Sequence, residues 1–179
     1  LRLSAIKGVG RPVIEALTAE REENGKFTGL KDFVDRLSGK EVNKRTVESF
    51  IKAGAFGPEF GTRKQLMQVY VGVMDGVAQE RKKSLTGQMS LFDFAAEEDR
   101  QEFEIRLPNV GEYSKEELLD FEKEVLGVYL SGHPLEEYMS LLQKNTTADT
   151  LAFQLDEETG EVKAQDGDVV TLGGMIAGI

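Results

Sequence analysis

Leu3-Ser4-Ala5-Ile6-Lys7-Gly8-Val9-Gly10-Arg11-Pro12-Val13-Ile14 is the stretch on which the fold turns. Leu3, Ile6 and Val9 form an apolar set at helical spacing, and Gly8 and Gly10 interrupt it. Pro12 suits the first turn of a new helix, where its missing N–H costs nothing. Val13, Ile14, Ala16 and Leu17 continue as a helical stripe. Helix, Gly-Val-Gly, helix is the outline of a helix-hairpin-helix. The two glycines let the backbone turn tightly and meet an anion without a Cβ in the way. The amides of Gly8, Gly10 and Arg11 are expected to face outward at the positive end of the second helix. Lys7 and Arg11 add full charges, and Val9 is expected to point inward and pin the turn. Such a grip holds a nucleic-acid backbone and reads no bases.

Outward from this hairpin the pattern stays helical. Gly25 follows the charged run Glu20 to Glu23 and is placed to end the first helix. Leu30, Phe33, Val34 and Leu37 share a face, and Gly39 stops them. Asn43 is a candidate cap for a helix carrying Val47, Phe50 and Ile51. That helix runs out in Lys52-Ala53-Gly54-Ala55-Phe56, with Pro58 behind it. Residues 42 to 56 therefore read as a degenerate second hairpin unit, and two such units commonly pair into one compact module. Thr62 and Gln65 have capping-box spacing ahead of the longest helical stripe, Leu66, Val69, Tyr70, Val73, Met74 and Val77. Arg81-Lys82-Lys83 closes it, where positive charge suits the helix dipole.

Residues 85–111 read as a mobile linker, with Gly87, Pro108, Asn109 and Gly111 around the acidic run Glu97-Glu98-Asp99. Within it lies Gln88-Met89-Ser90-Leu91-Phe92. A Gln followed after two residues by Leu-Phe is the pattern that docks on bacterial sliding clamps. Leu91 and Phe92 would fill an apolar pocket while Gln88 satisfies its polar rim. The competing reading folds Leu91, Phe92 and Phe94 back onto the helices as core. Ser114 and Glu117 again have capping-box spacing, and helix is predicted from there to about Leu130, broken by Gly132-His133-Pro134. A further helix begins over Leu135 to Leu142. After Asp149 the signal turns to β, with a hairpin turn at Glu158-Thr159-Gly160-Glu161 and a strand opening at Val169-Val170-Thr171-Leu172.

The 179 residues contain no Cys, so disulfides and thiolate metal sites are excluded. No run of about 18 apolar residues exists, so no transmembrane helix is predicted. The first residue is Leu and the last stretch, 169–179, is apolar; both ends read as internal to a longer chain. The net charge of −10 looks wrong for a DNA binder, but it is unevenly spread. Residues 1–83 hold 16 Lys and Arg against 11 Asp and Glu, whereas residues 84–179 hold 6 against 21. The first half alone suits phosphate. No catalytic constellation is visible. His133, the single histidine, precedes Pro134 at a helix break and reads as a cap or packing residue. Asp166-Gly167-Asp168 reads as a turn rather than a metal site. The glutamates from Glu116 and Glu117 to Glu122 and Glu124 read as a solvated helix face.

Several of these segments together resemble one family. They are Leu3 to Gly10, Val42-Asn43-Lys44-Arg45, Ile51-Lys52-Ala53-Gly54-Ala55-Phe56, Thr62-Arg63, and Glu122 through Tyr129 to Leu135. They are similar, in order, to the alpha subunits of bacterial DNA polymerase III. The resemblance implies an internal piece of that catalytic subunit. Gln88 to Phe92 falls where the family carries its clamp-binding motif, and Gly167 to Ile179 resembles the opening strand of its OB-fold. It implies a parent DNA-directed DNA polymerase, a nucleotidyltransferase whose Mg2+-holding carboxylates lie outside this stretch, so no cofactor is expected here. The implied partners are duplex DNA, the sliding clamp (the beta subunit) and other holoenzyme subunits, with no membrane, in a bacterial cytoplasm. The acidic residues Glu97, Glu98, Asp99 and Glu102 would keep the linker off DNA by repulsion.

The expected fold is thus mainly α. A tandem helix-hairpin-helix module spans 1–84, followed by the linker with its clamp peptide at 85–111. A helical connector occupies 112–148, and 149–179 form the start of an OB-fold. A generic helix-hairpin-helix module of DNA repair would share the hairpin but has no reason to carry Leu126 to Leu135 or the Gln88 peptide. A protein-interaction domain without nucleic-acid binding is favoured by the net charge.

Overall fold

A computed structural model describes residues 3–37, 39, 42–85, 105–155 and 160–176. Two compact units divide at Leu130 and Ser131, a boundary that runs through the expected connector 112–148.

Among its described residues the first unit holds five α-helices: α1 Arg11–Asn24, α2 Leu30–Leu37, α3 Lys44–Lys52, α4 Arg63–Leu85 and α5 Lys115–Leu126. Their ends follow side-chain chemistry written locally. Asn43 accepts the Thr46 N–H at 3.0 Å and starts α3. Thr62 and Gln65 exchange side-chain and backbone hydrogen bonds at 2.9 and 3.2 Å ahead of α4. Ser114 and Glu117 form the reciprocal box that starts α5. Helix α3 closes with the Ala55 N–H donating to the Phe50 carbonyl and the Gly54 N–H to that of Ile51, both at 2.9 Å. This is the Schellman arrangement.

Leu3–Ala5 is a 3₁₀ turn and not an α-helix. Its hydrogen bond, Ile6 N–H to the Leu3 carbonyl at 3.1 Å, spans three residues, the tighter form used in short pieces. The core joins all five helices. Ile6, Val13, Leu30, Phe33, Val34, Leu37, Val47, Phe50, Ile51, Leu66, Val73, Val77 and Val125 are buried in one cluster. Phe33 sits at its aromatic centre, edge-on to Phe27, Phe50 and Phe56 at 5.1, 6.0 and 5.1 Å between ring centroids. Such pairs add about 0.5–1.5 kcal/mol each beyond their buried area. The α4 stripe that the sequence marks lies wholly in or against this cluster.

Residues 105–111, expected within a mobile linker, are irregular but held. Gln65 Nε2 donates to the Pro108 carbonyl at 2.9 Å and Thr62 Oγ1 to that of Gly111 at 3.3 Å. Helix α5 stops at Leu126, short of the expected Leu130, because Gly127 takes a φ of 77° and its N–H bonds the Lys123 carbonyl. Glycine tolerates that left-handed conformation at little cost, and helices commonly end there.

In the second unit a 3₁₀ turn over Glu136–Tyr138 runs into α6, Met139–Asn145. A 3₁₀ turn follows at Thr150–Phe153, capped by Asp149. The expected strand at Val169 to Leu172 is not formed. Among the described residues the β signal reduces to one antiparallel bridge, Leu155 to Val162. The backbone at Thr171 instead turns to Thr147, whose N–H donates to the Thr171 carbonyl at 3.0 Å. A strand exists through its ladder, and β-branched residues without a neighbouring strand have none to join. Of the proposed turn, Gly160 has the φ of 69° that suits it; residues 158 and 159 lie outside the described residues.

Candidate nucleic-acid interface

The hairpin lies on the surface at the head of α1. Gly8 has a φ of 82°, a conformation that costs an L-residue about 1–2 kcal/mol. Gly10 is extended and serves as the N-cap of α1, with Pro12 in the first turn and no side-chain cap. Gly8 and Gly10 are both exposed. Val9 is buried among Ile6 and Val13, so it anchors the turn from inside.

The hairpin amides divide into two sets. The Lys7 N–H donates to the Val125 carbonyl at 2.7 Å and the Val9 N–H to that of Ile6 at 3.2 Å. Among the described residues the amides of Gly8, Gly10 and Arg11 have no acceptor. The latter three open the N-terminal end of α1, where the helix dipole favours negative charge. The Lys7 side chain is exposed. Arg11 is exposed too, but its Nε already bonds Glu15 at 2.8 Å. An exposed pair of this kind is worth about 0–1 kcal/mol, so an incoming phosphate can displace the carboxylate.

The N-terminal end of α4 is closed by contrast. The Glu112 carboxylate accepts the Arg63 and Lys64 N–H groups at 2.8 and 3.0 Å. A carboxylate of the chain's own thus occupies the N-terminal end of α4. Beneath it, Arg63 donates to the Lys52 carbonyl at 3.1 Å and to Glu122 at 3.2 Å. Glu122 also accepts the Leu130 N–H at 2.6 Å, and its side chain is 1% exposed. The sequence reading put Glu122 on a solvated face; it is instead a buried anion that joins α5 to the end of α3 and the start of α4. A buried charge must be paired and hydrogen-bonded, and Arg63 and the Leu130 amide meet that need. Glu124, read onto the same face, bonds Lys52 at 2.8 Å.

Lys52 lies under the Glu48 and Glu124 carboxylates, 14% exposed on its side chain. Burial pulls its pKa down, but the hydrogen bonds and charges of Glu124 and Glu48 outweigh burial and the net shift is upward. Arg36 is consumed in the same way, by Glu20 at 3.1 Å and Asp32 at 3.3 Å. Several cations of this basic half, Arg36, Lys52 and Arg63 among them, are therefore spent on its own carboxylates.

Sequence reading missed Arg45 and Ser49, which α3 brings beside the hairpin. A Cβ on Gly8 would stand 3.4 Å from Ser49 Oγ and 3.8 Å from Arg45 Nε. Their spacing of four puts them on one helical face, a signal present in the sequence, but nothing local says that this face meets Gly8. The peptide Gln88 to Phe92 lies outside the described residues, as do Glu97, Glu98, Asp99 and Glu102. Away from the hairpin, His133 Nδ1 accepts the Leu135 N–H at 3.1 Å, and Asp168 accepts the Gln165 N–H at 2.8 Å across its turn.

Residues 1–67 match the family described as Helix-hairpin-helix motif. The chain is 41% identical over 136 residues to the DNA polymerase III subunit alpha of Neisseria meningitidis, covering 76% of this chain and 12% of that protein. It is 36% identical over 149 residues to that of Borreliella burgdorferi, covering 83% and 13%. With the Mycobacterium tuberculosis subunit the identity is 35% over 185 aligned positions, 99% of this chain and 15% of that protein. The chain spans about an eighth of the length of the curated relatives it matches first.

Proposed function

We propose, from the premise that this chain belongs to the DNA polymerase III alpha-subunit family as the counterpart of one segment, that it grips the sugar–phosphate backbone of duplex DNA. The observation that carries this reading is the open hairpin: three amides without acceptors among the described residues, at Gly8, Gly10 and Arg11, at the head of a 14-residue helix. Lys7 and Arg11 supply charge and Val9 holds the turn on the core. A grip of amides and charges carries no base information, which suits a polymerase that must travel. In the full subunit it would hold the duplex while nucleotide addition, with its divalent ions, takes place on other segments.

The second part of the proposal is a tether. Gln88, Met89, Ser90, Leu91 and Phe92 would dock on the sliding clamp, with Leu91 and Phe92 as anchors. Two weak attachments on one chain raise each other's effective concentration, so both hold more firmly than either alone. The support is the order of the motifs and the similarity to the polymerase subunits.

Duplex binding followed by fluorescence anisotropy against salt tests the grip. The expected result is affinity that falls steeply with salt, and a Lys7→Gln variant whose log–log slope is shallower by about 1. A clamp-binding measurement with Leu91→Ala and Phe92→Ala together tests the tether, and binding by the double variant equal to wild type would remove it. The net charge of −10 favours a protein-interaction domain instead. DNA affinity that is absent at low salt would support that second reading.

A further inference from the structure

We infer that Arg45 and Ser49 of α3 form the second wall of the phosphate grip, so that side-chain donors from one hairpin unit complete the amide site of the other. The inference rests on the hairpin reading above and assigns it two further binding residues.

The case begins with Ser49. The residue is 7% exposed, yet its hydroxyl has no hydrogen-bond partner among the described residues. Every fully enclosed side-chain nitrogen or oxygen there does have a partner. The Ser49 oxygen must therefore reach the surface through a small opening, and it lies beside Gly8. A hydroxyl held this deep by its helix and left unpaired is a donor waiting for an acceptor. Polar groups in such a position are normally satisfied, and the hairpin beside it is suited to an anion.

Arg45 is the independent second observation. It is exposed, its Nε is 3.8 Å from the Cβ position on Gly8, and it has no carboxylate partner among the described residues. Its neighbours on the same helix are neutralised, Lys44 by Asp75 at 2.7 Å and Lys52 by Glu48 at 3.0 Å. The cation of α3 left unpaired is thus the one that stands at the hairpin. A guanidinium presents two parallel N–H groups to a phosphate, which a hydroxyl and backbone amides can then meet from the other side. The ligand class is a phosphodiester, and the pairing of the two hairpin units is what builds the site.

The test is duplex-DNA anisotropy on the whole chain, with circular dichroism confirming the helical content of each variant. Arg45→Gln should bind about tenfold more weakly, with a salt slope reduced by about 0.9. Arg45→Lys should keep the slope and recover part of the affinity, because the charge remains and the fork is lost. Ser49→Ala should weaken binding several-fold without changing the slope. Lys44→Gln, which removes an equal charge already paired with Asp75, should stay within twofold of wild type. If Lys7→Gln weakens binding while Arg45→Gln and Ser49→Ala both match wild type, this inference is overturned and the hairpin reading stands. If wild type binds no duplex at low salt, the hairpin reading fails and takes the inference with it.

Discussion

The two units use the same local chemistry and obtain different results from it. In each, some of the helices and turns start at side-chain caps: Asn43, Thr62 and Ser114 in the first, Asp149 in the second. In the first unit those capped elements bring Phe33, Phe50, Leu37 and Val47 together at no more than 2% exposure. Among the described residues of 131–176 not one is buried. Leu141, Leu151 and Leu155 stand 58%, 63% and 64% exposed. The second unit is not short of apolar residues. Its described residues supply no second layer on which to lay them, and a layered packing is what turns an apolar stripe into stability. Caps decide where elements begin, and tertiary burial decides whether they hold.

The sharpest break of this comparison is a matched pair of truncations. Phe50→Ala removes a ring that is 1% exposed and touches Phe33 and Phe56 edge-on. It should cost about 3–5 kcal/mol. Leu141→Ala should change stability by about 0.5 kcal/mol or less, the usual range for surface positions. Urea unfolding measures both, and equal midpoint shifts would end the distinction between a packed unit and an unpacked one.

A second test sharpens what holds the first unit. Arg63→Met leaves the Glu122 carboxylate enclosed with its cation gone, an expected loss of about 3 kcal/mol. Adding Glu122→Leu removes the stranded charge, and most of that loss should return. A double variant no better than the single one would mean that Arg63 acts through its bond to the Lys52 carbonyl alone.

The smallest effect concerns the caps. Hydrogen bonds from the Ser114 backbone and side chain hold the Glu117 carboxyl below its usual pKa. Its folded value is depressed, so the cap's contribution is present above the ordinary Glu range and fades as pH falls through the lowered value. Protection of the Ser114 amide, which donates to the Glu117 carboxylate at 2.8 Å, should fall on that descent relative to its intrinsic exchange rate, while protection in the middle of α4 stays high. A cap that is indifferent to pH would show that the hydroxyl alone suffices.

Most of the first unit was legible because its signals are local. Asn43, the Thr62–Gln65 and Ser114–Glu117 pairs, the Gly8-Val9-Gly10 turn and the α4 stripe each act within a few residues. What escaped depended on distant partners. Glu122 sits in a run of charge and resembles its neighbours until Arg63 and the Leu130 amide close over it. Nothing local marks Arg45 and Ser49, since they meet Gly8 across 37 and 41 positions of chain. Val169 to Leu172 have strand composition, but composition does not supply a neighbour. Gly127 ends α5 from within the apolar stripe that predicts helix to Leu130, five residues before the break at Gly132-His133-Pro134.

The bond from the Lys7 N–H to the Val125 carbonyl sets an order of events during synthesis. Its two ends are 118 positions apart, and a ribosome adds about 5–20 residues per second. The hairpin therefore leaves the ribosome about 6–24 s before the carbonyl that fastens it. During that interval Gly8 and Gly10 lie on an unfinished surface, and the nascent chain acquires its settled turn only once α5 has emerged and docked.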